Sequence, residues 1–136
     1  MGLWLFKQEP GCYSWSDLVR DGRTIWDGVS NALARKHLNA VREGDRVLFY
    51  HTGKDKAVVG EMTVVAGPHT PPGDDVKAVV VEVAPVQALP RAVSLAEIKA
   101  DRLLAGWDLV RLPRLSVLPV TEEQWRRVEE LARLAK

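Results

Sequence analysis

The chain has 136 residues, 46% hydrophobic and 27% charged, a balance that supports one globular domain (1–136) with a real core and excludes a disordered chain. A formal net charge of +1 excludes a strongly basic face for polyanions, and no apolar run approaches the roughly 18 residues that a membrane span needs, so no membrane partner is expected. A lone cysteine, Cys12, and three scattered histidines offer neither a disulfide nor metal-ligand spacing, so neither metal nor cofactor is expected. The opening Met1-Gly2-Leu3-Trp4 lacks a basic stretch leading into an apolar signal core, and the expected compartment is the cytoplasm.

Leu3 to Gln8 is short, apolar and aromatic, and Pro10-Gly11 stops it, which predicts a strand. Lys7 and Glu9 at its end fall on one face by strand alternation, either as an exposed ion pair or as a site pair. Ser14-Trp15-Ser16-Asp17 has the form of a capping box and starts a short helix to about Arg20, closed by Asp21-Gly22. Tyr13 and Trp15 flank this turn as packing residues. Trp26-Asp27-Gly28-Val29-Ser30-Asn31 follows, and it admits two readings. One is a helix N-terminus beside a core tryptophan; the other is a pocket lip that stacks a flat ring and reads its edge. A helix over about Ala32–Val41 comes next, with Leu33, Leu38 and Val41 on one face. Six cations (Arg20, Arg23, Arg35, Lys36, Arg42 and Arg46) interleave with acids here and leave room for a modest phosphate-binding face.

Arg46–Thr52 and Ala57–Ala66 read as strands joined by the polar connection Gly53–Lys56, with Gly60 marking a bulge or a close backbone approach. Residues 67–75 form a loop, Val76–Val83 a buried strand, and Pro85–Val93 a bent edge strand whose prolines cannot donate. Ser94-Leu95-Ala96-Glu97 caps a helix to about Ala100. Leu109 to Val120 contains a further strand limited by Pro113 and Pro119. Thr121-Glu122-Glu123-Gln124 caps a final helix to about Ala135, whose Trp125, Val128, Leu131, Ala132 and Ala135 share one face, with Leu134 at its margin. Trp4, Trp107 and Trp125 are core candidates. Short strands with small helices between them, without a glycine-rich phosphate loop or regular strand–helix alternation, predict an α+β fold: a mixed, mostly antiparallel β-barrel with short peripheral helices.

Several of these pieces line up with one family. Trp4-Leu5-Phe6-Lys7-Gln8-Glu9-Pro10, Tyr13-Ser14, Trp26-Asp27-Gly28-Val29 with Asn31, Gly44-Asp45, Phe49-Tyr50-His51, Val59-Gly60, Arg114-Leu115-Ser116-Val117, Pro119-Val120-Thr121 and Trp125 stand in the order found in EVE domains. The chain therefore resembles an EVE domain, a PUA-like barrel related to the readers of methylated adenine. The resemblance implies a module that binds DNA or RNA and recognises a modified base, 5-methylcytosine or its oxidised forms first. It implies that Trp26, beside Asp27, stacks on the base and that Asn31 gives its amide to the base edge or caps the pocket helix. Tyr50, His51 and Thr52 would line the opposite wall. Lys7 would donate to a base or phosphate oxygen, and Arg114 and Ser116 would hold the phosphate or the pocket floor. The family usually has Ser where this chain has Gln8, Arg where it has Ser30, and Ser where it has Thr52, and the first of these changes the hydrogen-bonding surface offered to a ligand.

Two other readings stand beside this one. A hydrolase of a modified nucleoside or nucleotide would use a desolvated Lys7 with Glu9 in reach, but the sequence shows no nucleophile–base pair, metal set or cofactor loop, so the expectation is a binding module and not an enzyme. A small-molecule or protein-interaction module is the other. A reader domain by itself also implies an effector protein as a second partner.

Overall fold

The computed structural model describes residues 2–70 and 79–134. In chain order the elements are β1 (Leu3–Gln8), α1 (Trp15–Asp21), β2 (Thr24–Trp26), α2 (Ala32–Ala40), β3 (Arg46–His51), β4 (Ala57–His69), β5 (Val80–Ser94), α3 (Leu95–Ala100), α4 (Asp108–Arg111), β6 (Val117–Pro119) and α5 (Glu122–Arg133). The strands form one sheet in the order β2-β5-β4-β3-β1-β6. β1 and β3 run parallel, and the other described pairs are antiparallel. The sheet is thus mixed and mostly antiparallel as expected, and it curls into a half-barrel flanked by short helices. No helix is long and apolar enough to cross a membrane.

Local chemistry sets most boundaries. Both halves of the capping box are made at Ser14/Asp17, Ser94/Glu97 and Thr121/Gln124, so α1, α3 and α5 start where the sequence places them. Gly22 ends α1 at φ 73°, a conformation that costs a glycine little. Gly60 serves both roles open to it. It adjoins the β-bulge at Val59, and a Cβ built on it would lie 2.5 Å from the Trp15 ring.

Other expectations give way to tertiary context. β2 is three residues long, too short to show a period, and exists because it pairs with Val81–Val83. β4 continues past Ala66 to His69, so the start of the expected loop is strand, while its later part and the predicted strand start at Val76 lie outside the described residues. β5 runs unbroken through Pro85 and Pro90. Its β2-facing side is paired only over Val81–Val83, so the missing proline N–H groups fall where no β2 residue is paired, and the edge character read from the sequence is kept. In the expected strand within Leu109–Val120 only Val117–Pro119 is extended, and Asp108–Arg111 is instead a turn of helix closed by an ion pair at 2.9 Å. On α2 the buried stripe is Ala34, Leu38 and Val41; Leu33, one position off, is 41% exposed. α5 ends at Arg133, Leu134 is exposed, and Ala135 lies outside the described residues.

Alternation then sorts the two faces of the sheet. Trp4, Phe6 and Gln8 share the concave face with Val47, Phe49 and His51. Trp26 meets both Phe6 and Phe49 there, at centroid distances of 5.4 and 5.3 Å, and Trp15 meets Phe49 at 5.8 Å. Each such tilted or edge-on pair adds about 0.5–1.5 kcal/mol beyond burial. Leu5 and Lys7 share the convex face with Arg46, Leu48 and Tyr50, where the Arg46 guanidinium lies 4.6 Å over Trp125 of α5. Trp4, Trp107 and Trp125 are all buried, as expected of core residues.

Candidate functional site

The C-terminal ends of β1 and β3 lie side by side, with Lys7 opposite Tyr50 and Gln8 opposite His51. Because Lys7 and Gln8 are consecutive, their side chains leave on opposite faces, and this divides the expected site residues. Gln8, Trp26 and Asp27 line one cavity of about 290 Å³ at the mouth of the half-barrel, together with Cys12, Tyr13, Thr24 and Ile25. Asn31 and Arg114 line a second, mostly apolar one of about 320 Å³ with Leu33 and residues 111–115. Lys7, Tyr50 and Thr52 line a third of about 280 Å³ under α3 and α4. His51 and Ser116 line none of these three.

In the mouth cavity Trp26 is floor rather than lip, since only 3% of it is exposed. Gln8 Oε1 accepts from the Glu9 N–H at 3.0 Å, which turns the amide so that its NH2 is left to donate. Asp27 is exposed, and its carboxylate has no hydrogen-bond partner among the described residues. Tyr13 donates to Asp21 Oδ2 at 2.9 Å, and burial, the largest influence on it, raises its phenol above the ordinary value. The cavity therefore presents a donor, an acceptor and an aromatic floor within one recess.

The remaining expected residues have structural partners. Asn31 Oδ1 accepts from the Ala34 N–H at 3.0 Å and caps α2, the second of its two expected roles. His51 Nε2 accepts from the Trp15 N–H at 3.0 Å, so Nδ1 carries the proton and donates to Asp55 Oδ2, also at 3.0 Å. His51 thereby ties the start of α1 to the β3–β4 turn. The Ser116 carbonyl accepts from the Lys7 N–H at 2.9 Å. Lys7 Nζ donates to the Pro113 carbonyl at 3.0 Å and lies 5.6 Å from the Tyr50 ring centroid. Burial lowers the Lys7 ammonium below its ordinary range and pushes the Tyr50 phenol up to about 12. Glu9 makes no ion pair with Lys7; its carboxylate accepts from the Gly11 N–H and the Thr52 hydroxyl. Among the described residues, no group of three or more His, Cys, Asp and Glu could hold a metal ion.

The family model of the EVE domain matches residues 2–131. The chain belongs to the EVE domain family. Human thymocyte nuclear protein 1 is 30% identical to it over 157 residues, which span 90% of this chain and 70% of that protein. A Rhodopseudomonas palustris protein of known NMR structure is 36% identical with a TM-score of 0.93, over 100% of this chain and 96% of that one. The human THYN1 protein, crystallised in complex with 5-methylcytosine containing DNA, superimposes with a TM-score of 0.90 at 27% identity, covering all of both chains.

In this EVE domain a guanidinium still reaches the turn before α2, although position 30 is a serine. Arg35 folds back one helical turn and donates from Nη2 and Nε to the Ser30 carbonyl at 2.8 and 3.1 Å. No local signal in the sequence marks Arg35 for this, nor Thr24, Ile25 and Cys12 for the mouth cavity; each is placed by how β2 and the neighbouring turns fold back over β1.

Proposed function

We propose that this EVE domain binds nucleic acid and takes one modified base, 5-methylcytosine or an oxidised form of it, into the cavity floored by Trp26. The observation that carries this reading is the polar recess of about 290 Å³ opening directly onto a buried tryptophan. A recess of that size stands at the small end of ligand pockets and suits a single base taken out of its stack. The 5-methylcytosine containing DNA bound to the human relative supports the same ligand class. The edge chemistry fits as well. Asp27 accepts from an exocyclic amine, as on N4 of cytosine, while the Gln8 NH2 donates to a ring or carbonyl acceptor. Thymine, with an acceptor in place of the amine, would set oxygen against the Asp27 carboxylate. A methyl adds only about 1 kcal/mol of burial, so the fit of the walls around it supplies the discrimination.

The hydrolase reading has less support, because Lys7 and Glu9 are each bonded elsewhere and do not touch. Turnover of a modified nucleoside that Lys7→Ala abolishes would establish it.

The test is intrinsic tryptophan fluorescence during titration with short strands of DNA and of RNA carrying cytosine, 5-methylcytosine, 5-hydroxymethylcytosine or N6-methyladenine. Saturable quenching by one cytosine-modified strand, weakened in Gln8→Ala, is the expected result. Equal responses to all strands would overturn the reading.

A further inference from the structure

The cavity on the convex face is not absorbed by base recognition, and its chemistry is distinct. Lys7 comes from β1, Lys56 from the β3–β4 connection and Lys99 from the last turn of α3, and all three line one recess of about 280 Å³ with Tyr50, Thr52 and Pro113. None of the three ammonium groups has an ion-pair partner among the described residues. Glu9 sets one carboxylate at the rim, held by Gly11 and by Thr52 and packed against Gly53. Lys56 adopts φ 40°, a left-handed conformation that is costly for a residue with a Cβ, and its carbonyl accepts from the Leu95 N–H at 2.7 Å at the start of α3. A strained backbone position that brings a cation into a shared cleft is one of the marks of a functional site.

We infer that this cleft, walled by Lys7, Lys56 and Lys99 and the Tyr50 hydroxyl, is a phosphate-binding site separate from the mouth cavity. Three ammonium groups against one rim carboxylate leave a positive surplus that a phosphate neutralises. The lysine stems and the Tyr50 ring make walls of low polarity, which strengthen that attraction relative to open water. Lys7 and Gln8 are adjacent on β1 but face opposite ways, so the phosphate cleft and the base cavity lie on either side of one strand end. The phosphate comes either from a strand whose base occupies the mouth cavity, which rests on the function proposed above, or from a free nucleotide, which does not.

The experiment follows backbone amide chemical shifts of the intact protein during titration with inorganic phosphate, for wild type and for the Lys56→Gln/Lys99→Gln double variant. Both lysines are exposed, so the double variant is expected to melt with wild type. Saturable shifts at Gly53, Lys56, Leu95 and Lys99, weakened at least about tenfold in the double variant, are expected for a site built from three ammonium groups. Absence of saturation, or equal binding by the double variant, overturns the inference. A parallel titration with a 5-methylcytosine single strand at several salt concentrations identifies the source. Each lost contact on a single strand lowers the salt slope by about 0.7, so a decrease of about 1.4 places the strand's phosphate in the cleft. An unchanged slope with phosphate still bound assigns the cleft to a free nucleotide. Quenching by the modified strand without phosphate binding sinks this inference and leaves the reader standing, whereas phosphate binding without base discrimination does the reverse.

Discussion

Trp26 of β2 and Phe6 of β1 are separated by three strands in the sheet order, yet their rings meet with centroids 5.4 Å apart and planes tilted by 43°. That contact exists because the sheet curls, and it makes Trp26 at once the closure of the core and the floor of the mouth cavity. Truncation to alanine therefore removes two things together. We expect Trp26→Ala to cost about 3–5 kcal/mol of stability, the range for emptying a buried tryptophan site. Trp26→Phe keeps an aromatic floor and should cost roughly half of that. Chemical denaturation of both variants checks this; a Trp26→Ala protein as stable as wild type would show that the ring does not close the core.

Gly60 and Trp15 form a second closure on the same face. The Cβ that alanine brings would stand 2.5–2.7 Å from three atoms of the Trp15 ring, closer than any real contact, and the ring is itself packed edge-on against Phe49. Gly60→Ala should destabilise by about 1–3 kcal/mol through overpacking. In a Trp15→Leu background the same change should cost measurably less, because the obstructing ring is gone. Additive losses in the double-mutant cycle would count against the clash.

Acid stability has a definite sign. The Arg91 guanidinium, bonded at 2.8 Å to each oxygen of Glu97, is the main influence holding that carboxyl at about 2, with Ser94 adding to it against the opposing effect of burial. At Asp45 burial pushes the other way more strongly than any single partner, but donation from Gly2, Arg42 and Trp4 together leaves the carboxyl below its ordinary value. Both groups bind protons more weakly in the folded chain than in the unfolded one. Their stabilisation is complete above about pH 4.5 and is lost as pH falls from there; for Glu97 the loss runs down to about pH 2. Melting curves between pH 7 and pH 2 should show that acid limb, and Glu97→Gln should flatten it while lowering the Tm at pH 7 by roughly 2–6 °C. Asp45→Asn should cost about 1–3 kcal/mol at neutral pH by turning an acceptor of three donors into a partial donor. A Glu97→Gln profile parallel to wild type would refute the linkage.

What the sequence reveals and what it hides divides along the range of the interactions. Ser14, Ser94 and Thr121 each find a partner three residues on, so the starts of three helices are legible locally. The strands β1 and β3 carry enough apolar alternation to be read directly. β2 has no such period, and β5 passes through Pro85 only because of which neighbour it lacks, a fact of topology. For the site, Gln8, Trp26 and Asp27 are legible as residues of interest because turn, amide and aromatic chemistry concentrates there. That Lys7 leaves the opposite face from Gln8 follows from strand alternation once the strand is known. The joining of Lys7 with Lys56 and Lys99 depends on where α3 docks, and no spacing in the chain foretells it.

The most specific expectation concerns Asp27. Its carboxylate is exposed and unpartnered among the described residues, so replacing it leaves the fold unperturbed and reports on recognition alone. In Asp27→Asn the group keeps its size, but one acceptor oxygen becomes an NH2 donor. Rotated so that this donor faces N4 of a cytosine, it sets donor against donor; rotated the other way, it accepts through a neutral oxygen and forfeits the charge. Discrimination by one well-placed side chain on a base edge is worth about 1–3 kcal/mol, so affinity for a 5-methylcytosine strand should fall by roughly 10- to 100-fold at unchanged Tm. The same variant should lose less against a strand carrying 5-methyluracil, whose acceptor suits the new donor, and the ratio of the two affinities should move toward unity. Fluorescence titration of both strands with both proteins measures that ratio. A ratio unmoved by the substitution would place the base edge away from Asp27 and return the reading of the cavity to Gln8 and its aromatic floor.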